Sequence, residues 1–145
     1  GVAGTATMTL AQAAYHQLTG AEPSDAPQKA ARKILAAARK RVPRRHRSPL
    51  NHGMHWFYGV SWGIPYGVVV GTGARQPETS GVAFGLAVWS VGLAHLPALG
   101  LAPPPWKQSP RALATDAAFH VVYGLGAAGA LRALAPHPRT PPGPR

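Results

Sequence analysis

Read for hydrophobic and polar positions, the chain divides into four runs with little or no charge, at about 1–20, 54–73, 81–102 and 112–135. A helix needs about 20 mainly apolar residues to cross a hydrocarbon core of about 30 Å. The pattern therefore predicts an all-α protein: an integral membrane four-helix bundle occupying 1–135 as a single domain. The third run, "GVAFGLAVWSVGLAHLPALGLA", is the clearest, and the second crowds Trp56, Tyr58 and Trp62 at one end like an interfacial aromatic belt. The first is rich in Ala and Thr, and the last carries Asp116 and Arg132. A soluble helical protein with a very apolar core is the alternative.

Small residues let helix backbones approach closely in lipid. The second run repeats glycine at every fourth position, Gly59, Gly63, Gly67 and Gly71. Gly1, Gly4, Thr5, Thr9 and Ala13 in the first run, with Gly124, Ala128 and Gly129 in the last, supply similar surfaces. A chain this small can bury only part of so long a glycine stripe, so the stripe predicts association with other membrane subunits or with copies of itself. On that expectation Gly63→Leu weakens the association. Pro65 and Pro97 predict kinks in their helices.

Between the first two runs, residues 26–48 form a basic segment. In "APQKAARKILAAARKRVPRRHRSP", Ile34, Leu35, Ala38 and Val42 share one helical face, and Lys and Arg take much of the rest. This predicts an amphipathic helix on a membrane surface, turning at Pro43, or else a solvated loop that carries the topology signal. Nine of the 15 Lys and Arg residues lie here: Lys29, Arg32, Lys33, Arg39, Lys40, Arg41, Arg44, Arg45 and Arg47. The first six are the expected contacts to anionic lipid.

The net charge of +11 would also suit nucleic acid. Its concentration beside membrane spans reads instead as attraction to lipid. Placing the basic loop inside orients the chain in a bacterial cytoplasmic membrane, with Lys107 and Arg111 inside and the 75–78 turn outside. Arg132, Arg139 and Arg145 oppose this but are outnumbered. The Pro-rich tail at 136–145 is expected to be extended or disordered. Opening on Gly1 rather than Met predicts a processed or trimmed chain.

Only 13% of residues are charged, against about 25% in an average soluble domain. With no cysteine there is no thiolate ligand, thiol nucleophile or disulfide. There is no GxSxG, no HExxH and no pair of carboxylates within one span, so hydrolase and glycosidase chemistry lose their usual supports. "GTGAR" at 71–75 reads as an interhelical turn rather than a phosphate loop, because no strand precedes it.

The histidines carry the remaining chemistry. Under the four-span topology His16, His52 and His55 fall at inner helix ends, and His95 and His120 sit roughly 10–15 Å from the inner turn. His52, His55, Gly59, Gly63 and Gly67 share one stripe. Asp116 and His120 are four apart, close enough for the carboxylate to fix the imidazole's tautomer. Ionisable groups at membrane depth suggest function, and His52, His55, His95, Asp116 and His120 are the candidate set. They could ligate a metal or haem iron, form an Asp116–His120–His95 proton relay, or hold a lipid or quinone head group. They could also be interfacial and core histidines bonded to neighbouring helices. "HGMH" is too loose for a zinc signature.

Several of these features recur together: His55 opening an aromatic, glycine-rich span, His95 with Pro97, "LGLAPPPW" at 99–106, and an acid four before a histidine in the last span. This combination resembles the YagU-like group of small bacterial inner-membrane proteins, and "AGTATMT" is similar to the start of uncharacterised actinobacterial relatives. The resemblance spans about 50–134. It implies a polytopic inner-membrane protein and no defined chemistry. The expectation is a non-enzymatic accessory or assembly subunit of a larger membrane complex. A proton-coupled carrier and a haem- or metal-binding protein are the alternatives.

Overall fold

The computed structural model describes residues 1–37, 39, 46–71 and 77–134. Five helices account for most of them: α1 Val2–Thr19, α2 Ala26–Ala37, α3 Arg47–Gly71, α4 Pro77–Ala98 and α5 Pro110–Leu134, with a 3-10 turn at Pro105–Lys107 before α5. There is no strand among the described residues. The expected turn at Pro43, the contacts Lys40 and Arg41, and the tail lie outside them.

Local signals set the helix ends. α1 stops at Gly20, whose positive φ of 68° suits glycine, with its N–H bonded to the His16 carbonyl at 2.9 Å. α4 ends in the same manner: Gly100 has φ 65°, and the Leu101 N–H reaches back to the Leu96 carbonyl at 2.9 Å. That cap pulls the helix end to Ala98, short of the expected 102. Ser109 caps α5, its Oγ accepting the Ala112 N–H at 3.2 Å, and Pro110 takes the first helical position, where no N–H is needed. α3 begins seven residues before the expected 54, with Pro49 tolerated in its first turn. α3 continues as helix through Pro65, and Pro97 falls in the last turn of α4.

α1, α3, α4 and α5 pack antiparallel to their neighbours in a ring. Along α1 and α3, Gly1 meets Gly63, Thr5 meets Gly59 and Thr9 meets His55, so each step of four in one helix matches a step of four in the other. Along α4 and α5, Gly81 lies on Gly124 and Ala128, Gly85 on the His120 carbonyl, and Trp89 on Asp116. Gly4 faces Tyr123, and Thr7 faces Gly126, between α1 and α5. These seams have room for backbone and little else.

The α3–α4 seam is built differently. Tyr58, Trp62 and Tyr66 recur every four residues along α3 and reach across to α4: Tyr66 to Phe84 at 4.6 Å between ring centres, Trp62 to Phe84 at 6.4 Å and Tyr58 to His95 at 5.9 Å. Rings span a gap that the glycine seams do not have. The interior is filled by Met8, Val88 and Tyr123 with Phe84 and Trp62, and next to them by Tyr66, Ala127 and Ala128.

Among the described residues, two helices are long and apolar enough to cross a membrane, Ser80–Ala98 and Pro110–Leu134. α1 and α3 fall short of that test. α1 is diluted by Thr and Gln, and α3 by His55, Pro65 and its glycine, tryptophan and tyrosine positions. The core helix of a soluble protein is mostly buried, whereas only 17% and 22% of the two apolar windows are buried here. Leu10, Leu18, Phe57, Ile64, Val68 and Val69 also lie exposed on α1 and α3.

Candidate functional site

One cluster of polar side chains lies in the half of the bundle where α1 and α4 finish, α3 and α5 start, and α2 packs. We call this the α2 end. Each of the four long helices contributes: Thr9 from α1, His55 from α3, Trp89 from α4, and Asp116 with His120 from α5. The antiparallel registers bring them to neighbouring levels.

Hydrogen-bond accounting assigns the tautomers. His120 Nδ1 is 2.8 Å from the Asp116 main-chain carbonyl and 3.6 Å from its carboxylate. A carbonyl only accepts, so His120 carries its proton on Nδ1, and its Nε2 presents a lone pair while the ring is neutral. The carboxylate was expected to fix this ring; the main chain does so instead. The carboxylate accepts the Trp89 indole N–H at 3.1 Å, and the Asp116 side chain remains 48% exposed.

His55 has the opposite arrangement. The Thr9 hydroxyl donates to the Thr5 carbonyl at 2.8 Å, so toward His55 Nε2, at 3.4 Å, it accepts. His55 therefore carries a proton on Nε2. His52 and His120 both lie within electrostatic reach of His55. His55 and His120 are both part-buried, each bonded to its own partner, while His52 is exposed.

His95 stands apart from this pair. Its Nδ1–H donates to the Val91 carbonyl at 2.7 Å, and its ring lies beside Tyr58. Gly85 is the α4 residue level with His120, and His95 lies ten residues further, about 15 Å at 1.5 Å per residue. The Asp116–His120–His95 series is therefore not contiguous. His16 also bonds locally, Nδ1 to the Ala21 carbonyl at 2.8 Å. Among the described residues no group of three His, Asp or Glu could hold a metal ion.

Further along the bundle other polar contacts join the helices. Tyr123 donates its hydroxyl to the Gly59 carbonyl at 2.7 Å, and Tyr66 Oη lies 3.3 Å from Ser80 Oγ. Tyr66, Phe84 and Tyr123 then fill the cross-section with rings.

The glycine stripe divides in two. Gly59 and Gly63 are committed to α1 within the chain, whereas Gly67 has nothing within 4 Å. The surroundings of Gly71 lie outside the described residues. Gly63 is thus an internal contact rather than a partner-facing one, and Gly63→Leu would strike the bundle itself. Of the basic residues, Lys29, Arg32, Lys33 and Arg39 are all exposed, Lys29 pairing with Asp25 at 2.8 Å.

Thr9 was visible in the sequence as a small packing residue, but its part in orienting His55 was not. Trp89 gave no signal, because its partner lies 27 residues away on another helix. Comparison with known proteins supplies no precedent: no family model, curated protein or solved structure matches the chain.

Proposed function

We propose that this chain is a four-span protein of the bacterial cytoplasmic membrane, with α2 on the cytoplasmic side, acting as an accessory or assembly subunit of a larger membrane complex. The observation that carries this reading is the open apolar face of α3 around Gly67, which no other described helix covers. The apolar outer surfaces of α4 and α5 support spanning. α1 and α3 can accompany them because their polar positions face neighbours or lie near the α2 end.

Gly67, open and flanked by exposed Ile64 and Val68, gives a partner helix a close approach that the fold itself does not use. Gly67→Leu in the full chain, followed by native mass and co-purification from gently solubilised membranes, tests the reading. Loss of associated subunits with unchanged membrane insertion is expected. An unchanged native mass with every associated subunit retained refutes it.

A proton-coupled carrier is the second reading, favoured by the succession Asp116, His120, His55 and Thr9. It requires His120→Ala to abolish a pH-dependent flux in proteoliposomes, and the same flux in the variant refutes it.

A further inference from the structure

We propose that the α2 end of the bundle is a docking face for anionic phospholipid headgroups, formed jointly by α2 and the α4–α5 connection. The inference rests on the membrane-spanning reading above and specifies what that end of the protein binds.

Two elements distant in sequence are fixed into one surface. Ala26 and Ala31 of α2 are buried, and α2 packs on α3. Asn51 ties the start of α2 down, its Oδ1 accepting the Gln28 N–H at 2.8 Å and its Nδ2 donating to the Ser24 carbonyl at 3.2 Å. Lys33 then reaches across to donate to the carbonyl of Leu99, at the start of the α4–α5 connection. The connection is itself stiff: three consecutive prolines, the Lys107 N–H on the Pro104 carbonyl at 2.9 Å, and Gln108 Nε2 on the Pro103 carbonyl at 2.8 Å.

Ala26 and Ala31 take the packed face of α2, Leu35 is half-buried, and Ile34 stays outside. Ile34 is 62% exposed, Leu99 50% and Trp106 82%. A tryptophan held this far out on a rigid turn, at the end of an apolar bundle, has the amphipathic character of a membrane-interface anchor. Arg32 on α2, Lys107 next to Trp106 in the connection and Arg111 at the start of α5 are exposed, and Arg39 lies just past α2. The acids at this end are Glu22, Asp25 and Asp116; Asp25 is paired with Lys29, and Asp116 accepts the Trp89 indole N–H. Cations therefore dominate around the apolar side chains. Acyl chains suit the anchors, and phosphate-bearing headgroups of net negative charge suit the cations; a neutral lipid would satisfy only the first.

The test uses the full chain reconstituted in nanodiscs containing brominated phosphatidylglycerol or brominated phosphatidylcholine at equal mole fraction. The contribution of Trp106 is isolated by subtracting Trp106→Phe. Stronger quenching by phosphatidylglycerol is expected. A triple variant, Arg32→Gln, Lys107→Gln and Arg111→Gln, is expected to lose the preference, at about fivefold in local lipid enrichment per cation removed. Lys33 is left intact because it holds the surface together.

Equal quenching by the two lipids, or a preference that survives the triple variant, overturns the proposal. Absence of quenching by either lipid also overturns it if the protein resists carbonate extraction, since the bundle would then span while this face stood clear of the bilayer. Release of the protein by carbonate would refute the spanning reading itself.

Discussion

The same substitution at two glycines of α5 should move stability in opposite directions. At Gly124 a Cβ would stand 2.8 Å from the carbonyl carbon of Gly81 and 3.0 Å from the Gly85 nitrogen, with the Gly81 oxygen closer still. All three are backbone atoms of α4, so no rotamer change relieves the contact. Restoring ordinary van der Waals spacing requires α4 and α5 to move apart in a densely packed seam, with the Gly81 oxygen setting how far. Overpacking of this kind costs about 1–3 kcal/mol, or roughly 5- to 150-fold in the folded-to-unfolded ratio. The Trp89–Asp116 bond in the same seam, 3.1 Å at rest, would lengthen beyond hydrogen-bond range.

At Gly129, five residues further on and on a different face of the helix, a Cβ meets nothing within 4 Å. Alanine there only removes backbone freedom from the unfolded chain and should stabilise by about 0.5–1 kcal/mol. Unfolding of Gly124→Ala and Gly129→Ala in one mild detergent, followed by tryptophan fluorescence during denaturant titration, gives both signs from one assay. A neutral Gly124→Ala, or shifts of the same sign, would refute the assigned α4–α5 seam.

Two further outcomes follow from individual hydrogen bonds. Tyr123→Phe removes only the hydroxyl donated to Gly59 and should cost about 1 kcal/mol in the same titration; no change would mean that α5 and α3 are not tied there. Asp116→Asn keeps an acceptor for the Trp89 indole and Asp116→Leu does not, yet both keep the main-chain carbonyl that holds His120. The Leu variant alone should shift Trp89 emission, while the nitrogen NMR signature of an Nδ1-protonated His120 persists in both; loss of that tautomer in either variant would show that the carboxylate controls the ring.

What was legible in the sequence is the material of the seams, not their pairing. Gly59, Gly63, Thr5, Thr9, Gly124 and Ala128 stand out as small residues at helical spacing, and the fold uses each of them. Gly67 and Gly129 look the same in one dimension and face open space, because burial depends on which helix lies opposite. Helix ends slipped for a similar reason: hydropathy continues past Ala98, but the left-handed Gly100 stops the helix. The Asp116–His120 spacing pointed to a carboxylate–imidazole contact. Every helical histidine also has the carbonyl four residues back within reach, and in His95 and His120 that carbonyl wins.

The contrast between seams also determines where this bundle can yield. Separating α4 from α5, or α1 from α3, means withdrawing interlocked backbones, and each glycine contact is lost with the smallest displacement. Between α3 and α4 the contacts are the far ends of Tyr58, Trp62 and Tyr66, which can follow a moving helix by changing rotamer. α2 is anchored to α3 through Asn51 and to the end of α4 through Lys33, so it straddles this adaptable seam. The Lys33–Leu99 bond is therefore a clasp across the loosest joint of the ring. Opening that joint would expose Tyr58 and His95 first and leave the Asp116–Trp89 contact, inside the tight α4–α5 seam, undisturbed.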